Sequence, residues 1–168
     1  MISIEVLALA LTGLSITASI LYYSNVLRNQ NKTRQVQYLM DIWKQWSKPE
    51  AQLVGMEVAN MEFKDYDDYL SKYDSKTNPE LAAKRFSLWA SFDMIGYLLK
   101  LGHITSEMVY EQSGNSMLLH WLKWEPIIRE IRVRRNAPDY MANFEYVANE
   151  IVKFRKKKGY PQLPDHKY

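Results

Sequence analysis

The sequence predicts an all-α protein with one amino-terminal transmembrane helix followed by an irregular cytoplasmic helical bundle. Three observations support this fold class: an uncharged apolar run near the amino terminus, apolar residues at three- and four-residue spacing beyond it, and no sustained alternation of apolar and polar residues. The mean hydropathy of −0.38 averages over two different parts of the chain. We expect an anchor at residues 1–34, a helical domain at 35–159 and an irregular tail at 160–168.

The uncharged run extends from Val6 to Leu27 and would be about 33 Å long as a helix, close to the thickness of a hydrocarbon core. A cleavable signal peptide is the alternative, but no basic segment precedes the run, and the run is longer than the apolar part of such a peptide. Arg28, Lys32 and Arg34 follow as a stop-transfer cluster. The positive-inside rule then predicts a single-pass protein of the cell membrane with its amino terminus outside and its carboxy-terminal domain in the cytoplasm.

Small and hydroxylated residues recur along the apolar run, and several of them fall near one helical face. Such residues let a second membrane helix approach closely and can form hydrogen bonds across the contact, whereas a face turned to lipid is the alternative. The candidate contacts with another membrane helix are Ala8, Thr12, Gly13, Ser15, Thr17 and Ser19.

Apolar spacing and end signals predict the next helices. The anchor helix can continue through an amphipathic segment, since no Gly or Pro interrupts residues 14–48. A new helix is expected near Pro49, where Ser47 and Glu50 have the spacing of a capping box. A short helix is expected around residues 67–73.

The strongest predicted helix begins at Asn78, an N-cap candidate followed by Pro79, and stops at Gly102. Its apolar face is broad and includes Phe86 and Trp89. A face of this width predicts burial at the centre of a bundle.

Three further helices are predicted towards the carboxy terminus. Thr105 should begin a short helix that breaks at residues 113–115. A helix at residues 116–135 contains Pro126, which should kink or divide it. The last helix is expected at residues 138–157.

Two polar residues fall among apolar ones. Asp93 lies inside the apolar face of the strongest helix, where an ionised carboxylate is costly unless it is paired, so we expect an ion pair with an Arg from a later helix. A catalytic acid is the alternative. His120 lies beside Trp121 and Trp124, which are expected to pack in the core against the helix of Trp89; a metal or haem ligand is the alternative reading of this histidine.

The composition excludes several classes of site. Without cysteine, the chain has no disulfide, no thiolate nucleophile and no Cys-ligated metal. Its six glycines form none of the common nucleotide-binding or nucleophile motifs, and its three histidines form no metal-binding pattern. We therefore expect no enzymatic activity, no cofactor and no metal site.

Charge is unevenly distributed, with a net value of +1 over residues 1–60, −3 over 61–111 and +5 over 112–168. The basic end can be a solvated helix face, partly neutralised by the acidic middle, or a contact with anionic headgroups. Nucleic acid is not expected, because the segment lacks interleaved aromatic residues and a recognisable binding module. The basic patch comprises Arg129, Arg132, Arg134, Arg135, Lys153, Arg155, Lys156, Lys157 and Lys158.

Residues 98–132 contain a motif that consists of Gly102-His103-Ile104-Thr105, Val109-Tyr110, Gly114, Trp121, Pro126-Ile127-Ile128 and Arg132. This motif resembles a family of membrane-anchored helical proteins known only as a domain of unknown function. The resemblance implies an amino-terminal span and a basic flank before a helical domain, over nearly the whole chain. No activity comes with it.

The sequence therefore predicts a non-catalytic, single-pass membrane protein in contact with the lipid bilayer. Its helical domain is expected to bind other proteins as an accessory or assembly subunit of a membrane complex. The alternative is a peripheral sensor of anionic lipid or of a phosphate ligand that acts through the basic patch.

Overall fold

The computed structural model describes residues 3–161 and residue 163, and most of the predicted tail lies outside the described residues. No strand occurs in the described part, which confirms the all-α class. One long apolar helix is followed by six shorter ones. In order, the elements are α1 (Ile4–Trp46), α2 (Pro49–Ala59), α3 (Tyr66–Tyr73), α4 (Pro79–Lys100), α5 (Ser106–Val109), a π-helical turn (Tyr110–Gly114), α6 (Asn115–Arg134) and α7 (Ala142–Lys157).

The chain divides into two compact units, with the boundary between Tyr38 and Leu39. The first unit is the amino-terminal part of α1, and none of the described residues of this helix is fully buried. Among the described residues, α1 is the one helix that is long and apolar enough to cross a membrane. Its continuation to Trp46 agrees with the absence of Gly and Pro over residues 14–48.

The predicted start and end of α4, the central helix of the second unit, are confirmed. The side chain of Asn78 accepts a hydrogen bond from the main-chain N–H of Leu81 at 3.1 Å, and Pro79 occupies the first turn of α4. Gly102 follows the helix with φ +73°, a left-handed conformation that glycine adopts without steric cost. Thr105 caps α5 in the same way as Asn78 caps α4, by accepting from the N–H of Met108 at 3.2 Å.

The predicted capping box at α2 was wrong. The N-cap of this helix is Lys48, which makes no side-chain cap, while the hydroxyl of Ser47 donates to the main-chain oxygen of Lys44 in the preceding turn. Ser47 and Glu50 have the spacing of a capping box, but α1 continues to Trp46. The Ser47 hydroxyl therefore bonds to the last turn of α1 and does not cap α2.

The carboxy-terminal helices also depart from the sequence prediction. Helix α6 is not divided at Pro126. The expected break at residues 113–115, by contrast, is confirmed, because the π-helical turn is kinked at Ser113, where φ is −158° and ψ is 15°. Helix α7 begins four residues later than predicted, because left-handed residues at Asn136 (φ 48°) and Met141 (φ 55°) interrupt the preceding turn.

The core of the second unit combines aliphatic side chains with a layer of aromatic side chains from α4, α6 and α7. Trp89 on α4 and Trp124 on α6 are fully buried, with ring centroids 5.2 Å apart in an edge-to-face arrangement, which confirms the predicted packing of these helices. Phe92 on α4 lies 4.9 Å from Phe144 on α7, and Trp121 lies 5.2 Å from the same ring. This aromatic layer fixes the three helices around which the other elements pack.

Candidate functional site

Asp93 holds the start of α7. Its carboxylate accepts hydrogen bonds from the main-chain N–H groups of Asn143 at 2.9 Å and Phe144 at 3.0 Å, and from the side-chain amide of Asn143 at 3.0 Å. The expected ion pair with an Arg is therefore wrong. Met141, the N-cap of α7, has no side chain that can cap, so a carboxylate from α4 satisfies the free N–H groups of the first turn instead.

His120 is nine-tenths buried, and its Nδ1 atom has no hydrogen-bond partner among the described residues. Its ring centroid lies 5.4 Å from that of Phe92. Burial, assisted by the positive charge of Lys123, lowers the pKa of His120 to about 4. The imidazole is therefore neutral at neutral pH, with one nitrogen as a donor and the other as an acceptor.

A cavity of about 400 Å³ lies within the second unit, beside His120. The carboxy-terminal end of α1, together with α2, α4, α5 and α6, contributes its walls. Its apolar lining includes Trp43, Trp46, Val54, Phe92 and Ile104. A second cavity of about 320 Å³ shares Ser116 and His120 with the first and has a more polar lining that includes Asn60, Glu62 and Lys123.

Sequence reasoning missed both cavities, because their walls come from segments far apart in the chain: residues 39–120 contribute to the larger one, and residues 59–62 and 116–123 to the smaller one. One local signal was present: Ser87 and Ser91 are four residues apart on α4 and both line the larger cavity. Gly55 on α2 also lines it, and a Cβ atom added at this glycine would meet no atom within 4 Å. Small side chains at these positions leave space that larger ones would fill.

Arg129 and Arg132, two members of the predicted basic patch, hold α6 against α7. An Nη atom of Arg129 lies 2.6 Å from Glu125 and 3.4 Å from Glu145. An Nη atom of Arg132 lies 2.6 Å from Glu145, and its Nε donates to the main-chain oxygen of Tyr140 at 2.8 Å. These two arginines therefore contribute to the packing of the bundle.

Arg134 and Arg135 contact the acidic segment around α3. Arg134 lies 2.5 Å from Asp67 and 2.9 Å from Glu130, and its hydrogen bond lowers the pKa of the Asp67 carboxyl. Arg135 lies 3.9 Å from Asp74. The positive carboxy-terminal region and the negative middle region are thus paired in part with each other.

The remaining basic residues belong to α7 and its end. Arg155 is buried and donates to the hydroxyl of Tyr110, the side-chain oxygen of Asn115 and the main-chain oxygen of Pro161. Lys153 lies 2.7 Å from Glu150, and Lys158 lies 3.5 Å from Glu107. Lys156 and Lys157 are exposed and form no ion pair with a described residue. The nine residues of the predicted patch therefore have different environments.

The predicted membrane residues lie on α1. Arg28, Lys32 and Arg34 are exposed, as are Ala8, Gly13 and Ser15. The hydroxyls in this stretch donate to main-chain oxygens four residues earlier, over distances of 2.8–2.9 Å, in the pairs Thr12–Ala8, Thr17–Gly13 and Ser19–Ser15. These hydroxyl protons are thus satisfied within the helix.

One side of α4 presents large apolar side chains to the surroundings. Phe86, Met94, Tyr97 and Leu101 have exposed fractions of 52%, 55%, 47% and 51%. Their spacing of eight, three and four residues places them along one side of the helix, which we call the α4 apolar face. The prediction that Phe86 belongs to the buried face was wrong, because α4 packs in the bundle through the side that carries Trp89, Phe92 and Gly96.

Among the described residues, no group of three or more His, Asp or Glu side chains is arranged to hold a metal ion. The model of a family described as a domain of unknown function (DUF4760) matches residues 3–151. The chain belongs to this family, which confirms the resemblance seen in the sequence. No curated protein and no solved structure matches the chain.

Proposed function

We propose that this member of the family is a non-catalytic, single-pass membrane protein whose helical domain binds another protein, as an accessory or assembly subunit of a membrane complex. The observation that carries this proposal is the α4 apolar face. Four large apolar side chains aligned on one helix and about half exposed are costly in water, and a protein partner would bury them.

The composition of the α4 apolar face fits a protein contact. Aromatic residues and Met are enriched in the buried parts of protein interfaces, whereas Lys and Glu are depleted there. Phe86, Tyr97 and Met94 belong to the enriched classes. The length of Tyr97 also lets its hydroxyl remain at a polar rim while its ring is buried.

The membrane part of the proposal is supported by α1. Its apolar run is long enough for one crossing, and Arg28, Lys32 and Arg34 follow the run. Positively charged flanks are retained on the cytoplasmic side, so the proposed orientation has the amino terminus outside and the helical domain in the cytoplasm.

Site-specific crosslinking in native membranes tests the proposal. A photoreactive amino acid at Met94 or Tyr97 of the full chain should give one discrete crosslinked species, and the matched control at Glu80, an exposed position of α4 outside the apolar face, should not. Purification in mild detergent should retain the same partner at fixed stoichiometry. A monodisperse monomer together with no crosslink from either position would overturn the proposal.

A second proposal is contact with anionic headgroups, and only two of the nine residues of the basic patch support it. It rests on Lys156 and Lys157, which are exposed at the end of α7 and lack an acidic partner among the described residues. Each basic group near an anionic surface contributes about 1 kcal/mol. Binding of residues 35–168 to liposomes should require anionic lipid and weaken with salt; unchanged binding after reversal of the charges of Lys156, Lys157 and Lys158 would exclude this role.

A further inference from the structure

We propose that the second compact unit contains a binding site for a single-chain amphiphile with a carboxylate head group, such as a fatty acid. The hydrocarbon chain would occupy the larger cavity beside His120, and the carboxylate would lie in the adjoining polar cavity with Lys123. Ser116 and His120 line both cavities, and the proposal places one ligand across these two residues.

The larger cavity has the size and lining that a hydrocarbon chain requires. Its volume of about 400 Å³ falls within the range of small-molecule sites, roughly 300 to 1,000 Å³. Trp46 packs on Phe92 with ring centroids 4.7 Å apart and forms part of the wall together with Ile104. The larger part of the lining is apolar, although Ser87, Ser91 and Gln112 also belong to it, and a hydrocarbon chain would cover that apolar part.

The smaller cavity offers polar groups for the head of the ligand. Lys123 is partly buried, donates to the main-chain oxygen of Ala59 and has its pKa lowered by burial. A cation held in such surroundings gains from a nearby anion, because the anion offsets the loss of hydration. Asn60 adds an amide group, and the exposed carboxylate of Glu62 also lines this cavity and raises the pKa of Lys123 against the effect of burial, so a ligand carboxylate would share this cation with Glu62.

His120 lines both cavities. Its Nδ1 atom is buried without a partner among the described residues, and such an atom costs free energy that a ligand hydrogen bond would recover. The neutral imidazole with its proton on Nδ1 can donate to a carboxylate oxygen. A simple hydrocarbon would use only the apolar cavity. A carboxylate amphiphile could also accept a hydrogen bond from His120 and interact with Lys123.

Photolabelling of the full chain tests the site. Native membranes that contain the protein are incubated with a dodecanoic acid carrying a diazirine, illuminated, and analysed by mass spectrometry of peptides. We expect labels on Trp46, Ile104 and neighbouring lining residues, displaced by excess unlabelled dodecanoate. Labels confined to the apolar part of α1 before Tyr38 would overturn the proposal.

A pair of variants on α2 provides the matched control. Gly55→Phe places a ring in the cavity at a position where added atoms meet open space, so the fold should persist and labelling of Ile104 should fall by about tenfold or more. Leu53→Phe adds the same ring at an exposed position of the same helix and should leave labelling unchanged. Equal labelling of the two variants would overturn the assignment of the cavity.

Competition identifies the head group. Dodecanoate should displace the label at a lower concentration than dodecanol, and Lys123→Gln should remove most of that difference. Equal competition by acid and alcohol in the unmodified chain would overturn the carboxylate assignment.

Discussion

Asn143 donates two hydrogen bonds to the carboxylate of Asp93, one from its main-chain N–H at 2.9 Å and one from its side-chain amide at 3.0 Å. The two residues are 50 positions apart, yet the contact performs the role that an N-cap residue performs locally. It ties the position of α7 to α4, and it accounts for a polar residue within an otherwise apolar helix face.

Replacement of Asp93 tests this capping role. Asp93→Ala should lower the free energy of unfolding by about 2 kcal/mol, because the N–H groups of Asn143 and Phe144 lose a charged acceptor. Urea denaturation of the full chain in mild detergent, followed by tryptophan fluorescence, measures the loss. Asp93→Asn, which keeps an acceptor oxygen, should lose less; equal stability of all three proteins would contradict the interpretation.

Gly96 should not tolerate a methyl group. A Cβ atom at Gly96 would lie 1.9 Å from the main-chain oxygen of Asn143, so α4 and α7 would have to move apart. Gly96→Ala is expected to cost about 1 to 3 kcal/mol of stability despite the better helix propensity of alanine. Gly55→Ala is the control, because Gly55 has open space around it and should be neutral or slightly stabilising. Thermal unfolding of the two variants in the same detergent checks the difference.

The buried histidine should make stability depend on pH. Burial and Lys123 lower the pKa of His120 from 6.5 to about 4, so between these values the unfolded chain binds more protons than the folded one. Stability should therefore fall as the pH decreases through this window, by about 2 to 3 kcal/mol from this residue. The measurement compares the free energies of unfolding at pH 7 and pH 4.5 with those of His120→Gln, whose decrease should be smaller. Parallel decreases in the two proteins would contradict the effect.

Two arginines of α6 should differ in how much they contribute to the stability of the protein. Arg132 has a side chain 13% exposed and holds both Glu145 and the main chain at Tyr140, whereas the side chain of Arg134 is 45% exposed. Arg132→Ala should cost about 3 kcal/mol because it leaves a partly buried carboxylate without its closest partner. Arg134→Ala should cost clearly less, as is usual for solvent-exposed pairs. Denaturant titration of both variants gives the comparison; similar losses would show that exposure does not govern these pairs.

Much of the fold was predictable because the signals act locally. The caps at Asn78 and Thr105 are hydrogen bonds to N–H groups three residues later, and Gly102 ends α4 through its own backbone conformation. The uncharged run similarly indicates a long apolar helix from composition alone. These features depend on a few neighbouring residues, so the rest of the fold does not alter them.

The errors arose where another contact competed with the predicted one. Ser47 had the spacing of a cap, but its hydroxyl donates to Lys44 in the last turn of α1. The start predicted for α7 was displaced by the left-handed residues that bring its first turn to Asp93. Phe86 matched a buried face in the sequence, but the direction in which α4 packs leaves it half exposed.

By itself, the sequence determined the all-α class, the long apolar amino-terminal helix and most helix ends. Tertiary structure alone decided the partners of Asp93, the pairing of the basic residues, the exposed side of α4 and the cavities beside His120. The physical reason is range: helix formation and capping depend on residues within about one turn, whereas ion pairs between helices, exposed faces and internal space depend on how separate helices pack.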